Sequence, residues 1–136
     1  MINALVTGSS SGIGAAIARR LLADGWWVQG WDVAKASIEH EHFRAHTVDL
    51  CDEGAIDAAL ATLPKDGAPQ ALVHAAGVLR TAPLGALRDG DGERMWQLHV
   101  RSATRLANVL LPAMRREGRA PGPYADMSCE LRWSIT

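Results

Sequence analysis

Excess charge of either sign, cysteine, lysine, tyrosine and long apolar runs are all scarce in this sequence, and each scarcity excludes something. The 14 basic and 15 acidic side chains leave a formal net charge of −1 and a pI near 6.5. That balance gives no electrostatic case for nucleic acid or an anionic membrane as a partner. No apolar stretch approaches the roughly 18 residues that cross a bilayer, and Met1 leads directly into a strand-like run with no basic segment before it. A soluble, cytoplasmic protein is the expectation. The two cysteines, Cys51 and Cys129, have no metal-type spacing, suit a reducing compartment and are read as inert. Glu39-His40-Glu41-His42 could align two histidines on one face of an extended segment, but no further ligands accompany them and no metal site is expected. There is no internal repeat or low-complexity tract, and 136 residues hold one domain with a real core.

What is present begins with Thr7-Gly8-Ser9-Ser10-Ser11-Gly12-Ile13-Gly14, which follows the apolar run Ala4-Leu5-Val6 and opens a helical pattern. Such a strand–turn–helix junction can hold a phosphate group. Gly8 permits the sharp turn out of the strand, Gly12 lets backbone N–H groups approach a pyrophosphate, and Gly14 lets the new helix sit close to the sheet. The anion would rest on the helix N-terminus. The spacing is Gly-x-x-x-Gly-x-Gly, which differs from the commoner Gly-x-Gly-x-x-Gly fingerprint. A plain glycine-rich turn is the alternative.

Along the chain, Ile13, Ala16, Ile17 and Leu21 recur at helical spacing and predict a core-facing helix from Gly12 to Asp24, with Gly25 as its left-handed cap. Trp26 to Trp31 reads as a second strand ending at Asp32, and Phe43 to Val48 as a third, with a loop or short helix from Val33 to Glu41 between them. Asp52 can cap a helix through Ile56, Ala59, Leu60 and Leu63, stopped by Pro64, with a surface turn over 65–69. Gln70 to Val73 reads as a short buried strand running into His74-Ala75-Ala76-Gly77, a turn of small residues open to a ligand. After a loop through Pro83 and Gly92, the residues Trp96, Val100, Ala103, Ala107 and Leu110 mark one face of a long helix ending near Arg115 or Gly118, bent by Pro112. Strands alternating with helices argue for a parallel sheet covered on both faces. The five tryptophans are read as core and interface packing, and Arg115-Arg116 as a complement to the helix dipole.

Asp32 stands 18 residues after Gly14, at the end of the second strand, where a dinucleotide fold needs a carboxylate for the adenosine ribose hydroxyls. It would repel a 2′-phosphate, and no Arg or Lys stands in the glycine loop, so NAD is favoured over NADP. A solvated strand-end Asp is the competing reading. The glycine motif at 7–14, Asp32, Asp49-Leu50, the Ala75-Ala76-Gly77 turn and Leu111-Pro112-Ala113-Met114 occur in an order and spacing that resemble the short-chain dehydrogenase/reductase family over about residues 2–118. The run Ala71 to Arg80 is also similar to dihydro-dihydroxybenzoate dehydrogenases. The resemblance implies an α/β fold with a Rossmann-type doubly wound parallel sheet, here truncated to four or five strands. It implies cofactor contacts at Thr7, Gly8, Ser10, Ser11, Gly12, Ile13, Gly14 and Asp32, with Asp49 at the adenine edge, Leu50 packed nearby, and His74, Ala75, Ala76 and Gly77 supporting the cofactor's centre. His74 replaces the family's usual Asn, and a His exposed at a strand end is the competing reading.

Catalysis in that family uses a helix Asn, a Ser after the fifth strand and a Tyr-x-x-x-Lys pair whose spacing puts both on one helix face. Here the single tyrosine is Tyr124, the residue four later is Ser128, and the lysines Lys35 and Lys65 both precede it. His99 aligns with the helix Asn, and Ser128 or Cys129 falls at the serine position. His99 and Ser128 are the candidate catalytic residues. The expected division is a cofactor domain over 1–118 and an atypical tail over 119–136, a frayed fifth strand or a frame-shifted end. Two functions stay open: a nicotinamide-dependent oxidoreductase acting on an alcohol or ketone, and a non-catalytic dinucleotide-binding or oligomerisation module, with a homo-oligomer formed through the helix near 93–115.

Overall fold

The computed structural model describes residues 2–64 and 68–117. Four parallel strands, β1 (Asn3–Thr7), β2 (Trp27–Asp32), β3 (Phe43–Thr47) and β4 (Ala71–His74), form one sheet in the order β3-β2-β1-β4. Helix α1 (Gly12–Ala23) joins β1 to β2, α2 (Glu53–Ala61) joins β3 to β4, and α3 (Asp89–Trp96), a π-helical turn (Gln97–Arg101) and α4 (Ser102–Glu117) follow. Parallel strands require crossovers, and reversing the direction of strand addition at β1 puts α1 on one face of the sheet and α2 and α4 on the other. Alternation along the strands then feeds two cores. Val6 and Val28 pack with Ala18, Leu22, Ile38 and Phe43 on the α1 side, while Leu5 and Trp31 pack with Ile56, Leu106 and Leu110 on the other. No helix among the described residues is long and apolar enough to cross a membrane.

Several local expectations hold. Asp52 caps α2 by accepting from the Gly54 N–H at 2.9 Å and the Ala55 N–H at 3.2 Å. Gly25 has φ +83°, and Pro112 lies inside α4. The segment between β2 and β3 contains no helix.

Others are corrected. The buried face of α1 is Gly14, Ala15, Ala18 and Leu22, whereas Ala16 is exposed and Ile13 is 67% exposed. Small side chains draw the helix close to the sheet, and the larger Ile13 is left on its open side at the ends of the strands. The loop expected through Gly92 is helical from Asp89, with Asp89 and Asp91 in the first turn, where carboxylates complement the dipole. On the long helix, Trp96 and Val100 are exposed, and Ser102, Ala103, Leu106 and Leu110 form the buried stripe. The π turn explains the change: it adds a residue to one turn and shifts the phase of the helix across it. Strand β4 is half-buried, because it lies at an edge of the described sheet. Of the tryptophans, Trp31 is core, Trp26 and Trp27 are half-buried, and Trp96 is exposed. The turn residues 65–67, the expected fifth strand, and Tyr124, Ser128, Cys129 and Trp133 lie outside the described residues, as does the boundary at 118.

Candidate functional site

A cleft of about 460 Å³ opens at the C-terminal ends of the strands, at the point where strand order reverses between β1 and β4. The β1 turn contributes Gly8, Ser11, Gly12, Ile13 and Gly14, and the end of β2 contributes Trp31, Asp32 and Val33. Beyond β3 come Val48, Asp49, Leu50 and Cys51, and after β4 come Ala75, Ala76 and Gly77. Arg94 of α3 and Leu98 of the π turn complete the wall. Most of the cofactor residues expected from sequence are thus brought to one cleft, from four separate chain segments.

The glycine turn is held by backbone contacts. The Gly8 N–H donates to the Trp31 carbonyl at 2.8 Å, and a Cβ on Gly8 would stand 2.7 Å from the Ala76 nitrogen. A Cβ on Gly14 would collide with the Gly8 carbonyl, so this glycine packs the start of α1 against its own turn. Gly12, by contrast, has φ +53° and open space where a Cβ would go. Ser11 precedes α1 in an extended conformation without capping it by its side chain, so no side chain of the chain itself covers the first-turn N–H groups of α1 from that position.

Asp32 is fixed by two donors. The Ser10 N–H reaches its Oδ2 at 2.9 Å and the Ala34 N–H its Oδ1 at 3.0 Å. Ser10 itself does not line the cleft; its hydroxyl donates to the Ala34 carbonyl at 3.2 Å, tying the glycine turn to the end of β2. Asp49 is exposed and accepts from the Cys51 N–H at 2.9 Å. Leu50 lines the cleft and is also core, 3% exposed. Burial, and then the Asp49 charge, push the Cys51 thiol up, so it stays protonated at neutral pH.

Thr7 and His74 sit behind the cleft and support it. Leu98 offers only a carbonyl to His74 Nε2, 3.1 Å away, so Nε2 carries the proton and Nδ1 accepts from the Thr7 hydroxyl at 2.9 Å. Thr7 Oγ1 in turn accepts the Ala76 N–H at 3.2 Å. His74 is neither exposed at a strand end nor a lining residue: it links β1, β4 and the π turn. Burial holds its pKa below the ordinary histidine value, the Leu98 carbonyl opposes that shift, and the neighbouring His99 adds to it. The exposed His99 lies over Gly77, where a Cβ would stand 2.6 Å from its Cε1. Its Nε2 is 2.9 Å from the Val78 carbonyl and 3.2 Å from the Val78 N–H, alternatives selected by tautomer. Among the described residues no cluster of His, Cys, Asp and Glu could hold a metal ion.

A second depression of about 480 Å³ runs along α2 and α4, but its charged groups already pair with one another. Arg101 meets Glu53 at 2.8 Å and Arg105 meets Asp57 at 2.5 Å. It is a salt-bridged surface groove.

Two residues of the cleft, Trp31 and Arg94, and Gly30 in the strand behind it escape a sequence reading. Trp31 is fully buried with its indole N–H unpartnered among the described residues, and Arg94 arrives from a distant helix. Gly30 is required because a Cβ would strike Phe43 and the Ser9 hydroxyl; a glycine inside a strand run was the available signal.

A parallel sheet of this order, with a glycine turn entering a helix at the switch point, defines a Rossmann-type α/β domain. The chain belongs to the short-chain dehydrogenase family, whose sequence profile matches residues 3–121. It is 35% identical over 129 residues to 2-(R)-hydroxypropyl-CoM dehydrogenase of Xanthobacter autotrophicus, covering 85% of this chain and 52% of that protein. It is 31% identical over 106 residues to 2,3-dihydro-2,3-dihydroxybenzoate dehydrogenase of Bacillus subtilis, covering 71% and 41%. The fold superposes with a TM-score of 0.79 on a short-chain dehydrogenase from Leptospira borgpetersenii with bound NAD+, at 18% identity, covering 87% of this chain and 48% of that one. The chain spans about half the length of the relatives it matches.

Proposed function

We propose that the cleft binds a nicotinamide dinucleotide, NAD in preference to NADP, and that residues 1–118 are the cofactor-binding part of an oxidoreductase moving hydride between nicotinamide and an alcohol or ketone. The observation that carries this reading is Asp32, a carboxylate at the end of β2 held in place on the cleft wall by two backbone N–H groups. It can accept from ribose hydroxyls and repels a 2′-phosphate. The residues fit the dinucleotide in other respects. Gly12 leaves open space beside the N-terminus of α1, and Ser11, Ile13 and Gly14 continue the same wall. Asp49 and Leu50 take the adenine end, while Ala75, Ala76 and Gly77 border the centre, with Thr7, Ser10 and His74 acting as positioning residues. The bound cofactor would supply the hydride chemistry. His99 and Ser128 are the chain's candidates for holding or moving a proton.

Tryptophan fluorescence titrations of the 136-residue chain with NADH and NADPH test the binding. Asp32→Ala should weaken NADH more than NADPH; equal losses would remove Asp32 from the ribose site, and no saturable change at millimolar NADH would overturn the cofactor reading.

A second reading, a non-catalytic dinucleotide-binding module, rests on Tyr124, where the residue four later is Ser128 and the family resemblance implies lysine. Assaying NADH formation over secondary alcohols and dihydrodiols separates the two, since turnover by the purified chain excludes the second. The exposed Trp96, Val100 and Val109 on the helix of 93–115 support self-association there. Light scattering should show an oligomer that Val109→Glu disperses, and a monomeric wild type would refute it.

A further inference from the structure

We infer that Arg94 is a specificity-determining residue of the cleft, stacking its guanidinium on the purine of the bound nucleotide. The inference rests on the cofactor reading above and adds a residue that the glycine turn and Asp32 do not imply. Arg94 is the one cation among the lining side chains, and it shares the wall with two carboxylates, Asp32 and Asp49. It lies in α3, one turn before the π turn, on a helix that runs on without a break into α4.

A solvated helix arginine is the plain alternative, but three other arginines of this helical stretch and the loop before it are paired. Arg88 pairs with Asp91, Arg101 with Glu53, and Arg105 with Asp57. Arg94 has no ion-pair partner among the described residues, although it stands in a cleft with two acids. Its position also says which part of a nucleotide it meets. The Arg94 charge reaches the Cys51 thiol, two residues beyond Asp49, which is the β3 end of the cleft. The anion-binding end lies elsewhere, at the N-terminus of α1, where Gly12 and Ser11 line the wall. A guanidinium at the β3 end therefore meets the flat base. Guanidinium is planar and weakly hydrated and stacks on aromatic faces, whereas an ammonium is a compact, strongly hydrated charge.

The test is titration of the full chain, wild type, Arg94→Ala and Arg94→Lys, with NADH, ADP-ribose and nicotinamide mononucleotide, the last lacking the purine. Calorimetry serves as the readout. Arg94→Ala should weaken NADH and ADP-ribose by about fivefold to tenfold and leave the mononucleotide unchanged, and Arg94→Lys should recover little of the loss. Full recovery in Arg94→Lys would show a charge contact to phosphate and overturn the stacking role. Unchanged affinity in Arg94→Ala, with wild type binding NADH, would overturn the inference while leaving the cofactor reading intact. A wild type that binds none of the three would overturn both. Circular dichroism of each variant confirms that a loss is not unfolding.

Discussion

Removing one buried hydroxyl should show how far the cleft depends on the support behind it. Thr7 is fully buried at the end of β1, and its Oγ1 donates to His74 Nδ1 at 2.9 Å while accepting the Ala76 N–H at 3.2 Å. Thr7→Val keeps the branched shape and nearly the volume, so packing changes little. Two polar atoms in a part-buried place lose their partner. Each lost bond is worth about 1 kcal/mol net, and each stranded group adds a share of its desolvation cost, giving about 2–4 kcal/mol together. That is a large fraction of the ~5–15 kcal/mol by which domains are stable. With a urea slope of about 1–2 kcal/mol/M, the midpoint should fall by roughly 1–4 M without a change in slope. A double-mutant cycle with His74→Ala isolates the shared bond, with an expected coupling of about 1 kcal/mol. A midpoint shift below about 0.5 M, or additivity within the ~0.3–0.5 kcal/mol typical of independent sites, would refute the arrangement of Thr7, His74 and Ala76.

The same histidine sets a pH dependence. Burial lowers its pKa in the folded state, so the unfolded chain binds a proton first; stability is complete above about pH 6.5 and falls as pH drops below that value. Urea midpoints between pH 8 and 5 should decline less steeply in His74→Asn, and superimposable profiles would dismiss His74 as the titrating group. Asp52→Ala removes a cap accepting two N–H groups and should cost about 1 kcal/mol in thermal or urea unfolding; a change below ~0.3 kcal/mol would contradict the cap. Gly14→Ala forces a Cβ into the Gly8 carbonyl and should leave little folded protein by circular dichroism. Gly12→Ala meets no atom, should cost about 1–2 kcal/mol through its left-handed backbone, and should weaken NADH binding; a fold as damaged as that of Gly14→Ala would reverse these two roles.

The first βαβ unit was legible because its signals are local: an apolar run, a glycine turn, a 3.6-residue period and a second apolar run ending in Asp32. Element positions in that unit came out within a residue or two for the same reason, whereas the helix expected after Gly92 begins at Asp89. The faces of the helices did not. In α1 the burial stripe is carried mostly by Gly14, Ala15 and Ala18, which have little hydrophobic weight, so a reading by apolar size sets the phase on Ile13 and takes Ala16 with it. The small residues matter through the approach distance they allow, a property of the partner surface. Arg94 and Trp31 were invisible for a related reason: the cleft gathers five segments, and only the segments with a glycine turn or a strand-end acid advertise themselves.

The long helix carries the most instructive departure, because its local error and its functional consequence share one cause. A uniform period from Trp96 to Leu110 places Trp96 and Val100 inward; the π turn at Gln97–Arg101 rotates them out and leaves both exposed. Within that turn the Leu98 carbonyl takes two side-chain donors, Ser102 Oγ at 2.5 Å and His74 Nε2 at 3.1 Å. A regular helix commits its carbonyls to the backbone ladder, so a carbonyl shared in this way belongs with the widened turn. His74 and His99 stand at positions where the family resemblance expects asparagine, and both reach across the gap between the β4 turn and the π turn to backbone groups. The two histidines and the π turn therefore form one unit. Replacing His74 strands the Thr7 hydroxyl while the Leu98 carbonyl keeps Ser102, and replacing the exposed His99 leaves Val78 to solvent, so urea unfolding should register the loss of His74 more than that of His99.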